Sequence, residues 1–355
     1  IGEGERTISD LIDVVEGRKD ISELDGIAYR RGGSAIVEPK TKYIMNLDEL
    51  PFPAWDLMKL NKYFNVKTSH GDRKKERFIP VITSRGCPAK CTFCSAYQVW
   101  GRKYRYRSAE NVLAEMKELK KTYGIQEIMF EDDNVTFNKQ RAKQIFEGMI
   151  DNKLDFAWDT PNGVAAYALD YELIDLMKKS GCYRMNLALE SGNQQVLTKL
   201  IKKPLNLERV KPLIAYAKKI GLNVGIFIII GLPGEKIEQM QESFQLCADL
   251  DIYNPHVSVA TPYPGTELFD QCVKNGHLKT DFSEKDLFIR SYAISTDDWN
   301  GDDLQAVLSD GARFLWRENI RKHPFKHLWE YTRRALKKPY LIPSRLMKML
   351  KGEVI

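Results

Sequence analysis

Three of the six cysteines of this 355-residue chain fall within eight positions, in the stretch TSRGCPAKCTFCSAY (83–97). Cys87, Cys91 and Cys94 make a C-x3-C-x2-C spacing, while Cys182, Cys247 and Cys272 are scattered through helical patterns. Thiolates gathered this closely on a polar loop bearing glycine and proline suit a soft metal centre better than a core. Zinc closes a tetrahedron with four ligands, normally two C-x2-C pairs or a Cys/His set. Only Cys91 and Cys94 form such a pair and no histidine lies within 15 residues of the cluster, so zinc fits poorly.

An iron–sulfur cube has four irons, and ferredoxins supply a cysteine to each. Three thiolates leave one iron without a protein ligand. That iron is open to a substrate or a cofactor.

Such a loop needs a scaffold. From Phe78 onward short apolar runs alternate with helical patterns: FIPVITS (78–84), EIMFED (127–132), FAWDT (156–160), RMNLALES (184–191), VGIFIIIG (224–231) and HVSVATPY (256–263). These are six candidate strands. Between them Ser108 opens a helix with Val112, Leu113, Met116 and Leu119 on one face, and Asp170 opens another that stops at Gly181. Asn206 opens a third, carrying Val210, Leu213, Ile214 and Ala217 and stopped at Gly221. Strands that are apolar throughout and separated by single helices imply a parallel sheet covered by helices. Six units suit a partial barrel or an open sheet, and periodicity does not choose. Either gathers its loops at the carboxyl ends of the strands, where sites form. The cysteine loop follows the first strand and therefore belongs to that face.

The flanks read differently. The opening IGEGERTISDLIDVVEG is one helix entered from a Gly-rich turn, and LDGIAYRRGGSAIVEP is a hairpin turning at Gly32-Gly33. LDELPFPAWDL, with Pro51 and Pro53, is an extended linker. Past Ser283 the strand rhythm gives way to helical, aromatic and basic segments. Composition, 43% hydrophobic and 29% charged, is that of a soluble globular protein. No apolar run approaches the roughly 18 residues a spanning helix needs. The tail 317–355 holds 11 Lys/Arg against 3 Glu, net +8, more than the +6 of the whole chain. A basic balance confined to a tail argues against a nucleic-acid-coated core. The cysteine usage is unlike a secreted disulfide framework and points to a reducing, cytoplasmic compartment. The scattered cysteines read as buried thiols, so a single cluster is expected.

The C-x3-C-x2-C spacing, with Phe93 before its third cysteine, resembles the signature of the radical S-adenosylmethionine (SAM) superfamily. The resemblance implies a partial (β/α)6, TIM-like barrel with a helical C-terminal extension. It also implies a [4Fe-4S] cluster on Cys87, Cys91 and Cys94, and SAM chelated to the fourth iron. An electron from the cluster then cleaves SAM to methionine and a 5′-deoxyadenosyl radical, which abstracts a substrate hydrogen. The chain further resembles the family at four strand ends. FEDDN places Glu131, Asp132 and Asp133 where the SAM amino group is received, without the usual Gly-Gly-Glu, and leaves open which carboxylate faces inward. LALESG places Glu190 and Ser191 at the ribose. GIFIIIGLPGE places Gly231 and Gly234 against adenine and methionine, and TPYPGTELF offers Tyr263 for stacking on adenine. These matches span roughly half the chain.

The flanks resemble the cobalamin-binding branch, which includes class B methyltransferases, hopanoid-modifying enzymes and the anaerobic protoporphyrin-ester cyclase. There the GEGE turn closes an N-terminal Rossmann-like domain. The resemblance implies that residues 1–50 are the end of that domain plus a linker hairpin, 51–280 the core barrel and 281–355 a helical basic region. Starting at that turn without an initiator Met, the chain reads as a fragment, with cobalamin held by the full-length protein. Methyl transfer to an unactivated carbon is then the leading reaction. The alternatives are a cobalamin-independent rearrangement or oxidative cyclisation, and, from another class, a non-catalytic iron–sulfur or RNA-binding module. Implied partners are a small-molecule or lipid-like substrate and a flavodoxin- or ferredoxin-type electron donor, with no nucleic acid. The basic tail, which interleaves Trp316, Phe325, Trp329, Tyr331 and Tyr340 with Lys and Arg, suits peripheral membrane contact or a solvated cap.

Overall fold

The computed structural model describes residues 1–65, 73–288, 291–327 and 329. All six apolar runs form strands, and the six make one sheet in which neighbours in sequence are neighbours in space. The chain divides into two compact units, Ile1–Lys90 with Cys94–Met185, and Cys91–Phe93 with the chain from Asn186 onward.

In the first unit α1 (Glu5–Val15) leads to a hairpin of β1 (Ile27–Arg31) and β2 (Ser34–Glu38). Gly32 and Gly33 both have positive φ, the geometry of the two-residue turn the sequence predicts. Next come α2 (Leu60–Phe64) and β3 (Phe78–Val81), which pairs parallel with β6 (Glu127–Phe130). The first predicted strand run divides, because after β3 the chain forms β4 (Ser84–Arg85), which pairs antiparallel with β5 (Arg105–Tyr106). Between them lies α3 (Ala96–Trp100). The Ser108 hydroxyl accepts from Asn111 N–H at 3.1 Å and caps α4 (Ala109–Tyr123), which buries Val112, Met116 and Leu119.

The helix α5 (Lys139–Asp151) covers β6 and β7 (Ala157–Asp159) through an aromatic core. Trp158 stacks on Phe146 at 4.9 Å and meets Phe130 edge-on at 5.2 Å. Asp170 caps α6 (Tyr171–Lys179), which ends two residues before Gly181. Then follows β8 (Cys182–Glu190), shared by the two units.

The second unit holds a π-helical turn (Val196–Ile201), α7 (Leu207–Lys219) capped by Asn206, and β9 (Asn223–Ile230). It continues through α8 (Ile237–Asp249), β10 (His256–Val259), which pairs parallel with β9, α9 (Glu267–Asn275) and α10 (Gly301–Lys322). Along β9, Val224, Ile226, Ile228 and Ile230 are buried while Gly225, Phe227 and Ile229 between them are half-buried, as a strand covered by helices on one face requires. Among the described residues no helix is long and apolar enough to cross a membrane. Of the basic tail, residues from 330 on lie outside those described, and Trp316 sits within α10.

Candidate functional site

The loop after β4 carries Cys87, Cys91 and Cys94, all half-buried and in no disulfide. The other three thiols are buried. Burial pushes Cys247 up to about 12 and Cys272 up to about 11, and raises Cys182 further still. Only the clustered set thus combines access with proximity. Among the described residues no three His, Cys, Asp or Glu side chains converge as a mononuclear metal site would need. A cube takes one thiolate per iron, so its ligands need not converge, and three accessible thiols on one loop fit its donor set.

In the first unit, the loop's entry is fixed by Gly86. It adopts φ +82°, and a Cβ there would lie 2.4 Å from the Lys103 carbonyl oxygen, so only glycine fits before Cys87. Its N–H donates to Asp133 Oδ2 at 3.2 Å. The neighbouring Asp132 is buried and fully engaged. Its Oδ1 accepts from Thr83 N–H at 3.1 Å, from the Thr83 hydroxyl at 2.8 Å and from the Ser84 hydroxyl. Burial raises its pKa, opposed by the Arg141 guanidinium and these hydrogen bonds. Asp133 is raised by burial too. Asp132 is therefore a tie between the ends of β3 and β6. Glu131 differs: it lines a cavity of about 310 Å³ with Pro80, Ile82, Arg85 and the linker residues Pro51 and Pro53.

Arg85, just before Gly86, bonds Glu5 at 2.5 Å, lies 3.5 Å from Glu3 and stacks over Trp100. Buried Glu3 also pairs with Arg105 and accepts from Ile44 N–H at 2.9 Å. The two carboxylates of the GEGE turn thus hold the base of the cysteine loop.

In the second unit Glu190 is buried with φ +73°, unusual for a side chain of this size, and its Oε1 accepts from buried Lys203 at 3.0 Å. Ser191 is buried, and its hydroxyl accepts from Asn193 N–H at 3.1 Å. Gly231 and Gly234 both have positive φ, and a Cβ on Gly231 would press on Leu304 at 3.0 Å. The N–H groups of Gly231 and Leu232 donate to Glu235 Oε2 at 2.9 and 3.1 Å. Glu235 is fully buried, its Oε1 has no partner, and desolvation pushes it up to about 7. Half-buried Tyr263 ends β10's loop, where its carbonyl accepts from the Thr266 hydroxyl at 2.6 Å. Phe93 is half-buried beside Thr92, which is buried.

Several residues of this region carry no sequence signal. Lys203 and Arg141 are both buried, although charged side chains of these types are mostly exposed. Asp159, buried on β7, pairs with Arg184.

Residues 81–247 match the model of the radical SAM superfamily. The chain is 35% identical, over 91% of its length and 65% of the relative's, to cytidylyl-2-hydroxyethylphosphonate methyltransferase of Streptomyces wedmorensis. It is 33% identical to an uncharacterized methyltransferase of Pyrococcus horikoshii, over 79% of this chain and 58% of that one. The chain thus spans about three-fifths of the length of these relatives. The structure of the radical SAM methyltransferase TsrM from Kitasatospora setae, with cobalamin and a [4Fe-4S] cluster bound, superposes with a TM-score of 0.60. It is 18% identical and covers 77% of this chain and 53% of that one. The common fold is the partial (β/α)6 barrel, here the six-stranded parallel sheet with its helices. With its cysteine loop following the first strand of that barrel, the chain carries a radical SAM domain over residues 81–247.

Proposed function

We propose that Cys87, Cys91 and Cys94 hold a [4Fe-4S] cluster whose fourth iron takes SAM, and that the chain is the catalytic barrel of a radical SAM enzyme. The observation that carries this reading is the loop itself, three half-buried thiols in C-x3-C-x2-C spacing fixed at its base by Gly86. When bound and reduced, the cluster supplies one electron to the sulfonium, giving methionine and a 5′-deoxyadenosyl radical.

The chain's own residues do the placing. Asp132 ties two strand ends under the loop, and Asp133 takes Gly86 N–H. Glu131, which lines the cavity beside Arg85, is the carboxylate we assign to the SAM ammonium. Glu190, already held by Lys203, suits the ribose hydroxyls, with Ser191 shaping the turn behind it. Gly231 and Gly234 give the backbone close approach to adenine and methionine, and Tyr263 and Phe93 supply ring faces beside them.

Methyl transfer to an unactivated carbon of a small molecule, with cobalamin as methyl carrier and a flavodoxin- or ferredoxin-type reductant, is the reaction we infer. Its support is the methyltransferase relatives and the GEGE turn. The test is anaerobic reconstitution with iron and sulfide, reduction by dithionite in the presence of SAM, and chromatography of 5′-deoxyadenosine beside a Cys91→Ala control. Product from the wild type alone supports the reading. An intact cluster that cleaves no SAM overturns it in favour of a binding module.

A further inference from the structure

Thr92, between the second and third cysteines, is buried at 2% exposure and makes hydrogen bonds in three directions. Its hydroxyl donates to the Leu200 carbonyl at 2.8 Å, its N–H donates to the Ile201 carbonyl at 3.1 Å, and its own carbonyl accepts from Leu268 N–H at 2.9 Å. Leu200 and Ile201 are the last two residues of the π-helical turn, and Leu268 is the second residue of α9. A helix leaves its last carbonyls and first N–H groups without internal partners. Thr92 satisfies two such acceptors at one helix end and one such donor at another.

A π-turn is rare and concentrates at functional sites. This one ends at Lys202, in the left-handed region at φ +60°, and hands the chain directly to Lys203, the partner of Glu190. The same turn therefore anchors the cysteine loop on one side and orients the buried ion pair on the other.

We propose that Thr92 is a positioning residue that fixes Cys91 for iron by docking the loop onto the end of the π-turn. This rests on the cluster reading above. The Oγ1 bond is the part a side chain can remove, because the two backbone bonds survive any substitution that keeps the fold.

Three variants test it: Thr92→Val, which keeps shape and loses the donor, Thr92→Ser, which keeps the donor, and Thr92→Ala, which serves if the valine variant does not fold. In apo-protein, peptide-resolved alkylation compares Cys91 with Cys87 and Cys94. In reconstituted protein, iron content and the electron paramagnetic resonance spectrum of the reduced cluster, with and without SAM, are recorded. The expected result is faster alkylation of Cys91 in Thr92→Val by about fivefold relative to Cys87, the factor one neutral hydrogen bond is worth. An altered spectrum should accompany it, and Thr92→Ser should restore wild-type behaviour. Wild-type alkylation and an unchanged spectrum in Thr92→Val, in a protein whose wild type binds iron and cleaves SAM, overturn the proposal. A wild type that binds no iron instead defeats the cluster reading, and the alkylation ratio then still decides whether Thr92 fixes Cys91.

Discussion

Lys203 Nζ lies 3.0 Å from Glu190 Oε1, both side chains are buried, and Glu190 holds its end of the pair from a backbone at φ +73°. A non-glycine residue in that conformation stores strain of about 1–3 kcal/mol, which surrounding interactions must hold in place. The ion pair is one of them.

Removing the cation leaves a buried carboxylate. Lys203→Met should therefore lower unfolding stability by about 3–5 kcal/mol, and adding Glu190→Gln should recover a large part of the loss. Urea unfolding of the two single variants and the double variant measures this. Equal stability of Lys203→Met and wild type would show that the pair does not hold the strand end.

Glu235 gives the molecule a pH dependence whose sign follows from burial. Its folded pKa is raised to about 7 from 4.5, so between those values the unfolded chain loses its proton while the folded chain keeps it. The contribution of Glu235 to stability is then most favourable below about pH 4.5, falls as pH rises through the window and levels off above 7. The full drop is about 3 kcal/mol at 1.36 kcal/mol per unit. In Glu235→Gln the amide oxygen can still accept from Gly231 and Leu232. That variant should melt above wild type at pH 8 and converge with it near pH 5, which a pair of thermal melts would check.

Asp132 should tolerate change poorly. Asp132→Leu would leave the Thr83 N–H and two hydroxyls without their acceptor and the Arg141 guanidinium without the negative charge it faces, at a cost of about 3–5 kcal/mol. Asp133→Ala loses a single bond to Gly86 and should cost about 1 kcal/mol. Denaturant midpoints of the two variants rank them, and a reversed order would contradict the assignment of Asp132 as the structural tie.

The six cysteines should divide by chemistry. Iodoacetamide on native apo-protein should modify Cys87, Cys91 and Cys94 and spare Cys182, Cys247 and Cys272, whose thiols are buried and raised in pKa. Cys272→Ala should keep the iron content of reconstituted protein, and Cys91→Ala should lose it. Mass spectrometry and iron assay read both.

Much of this architecture was legible because it rests on local rules. The six apolar runs, the caps at Ser108, Asp170 and Asn206 and the Gly32-Gly33 turn each follow from periodicity or from one side chain bonding its own backbone. The strands stop short of the quoted runs because side chains take over at their ends, as when Asp132 accepts the Thr83 N–H. The π-turn has no sequence signature, since its extra residue per turn is set by what Leu200 and Ile201 meet. For the same reason Thr92, Arg141 and Lys203 were illegible. Their partners lie outside their own local segment, Glu190 13 positions from Lys203, Arg107 34 from Arg141 and Ile201 109 from Thr92. Among the three acids of FEDDN, sequence showed the charges and the neighbouring strand decided which one faces which partner.

Among the described residues strand β3 ends the sheet, and its outer side looks toward the linker across the cavity lined by Pro51, Pro53 and Pro80. The carbonyls of Arg77 and Val81 face β6, accepting from Gln126 and Glu131, so the intervening Pro80 turns its nitrogen the other way. A proline nitrogen has no hydrogen to give, and the two linker prolines lack theirs as well. The linker therefore runs beside an open edge without zipping onto it as a seventh strand. Among the described residues side chains hold it, Trp55 donating to Glu115 and Asp48 accepting from Ser108 N–H, and the same missing donor keeps a foreign strand from being templated there.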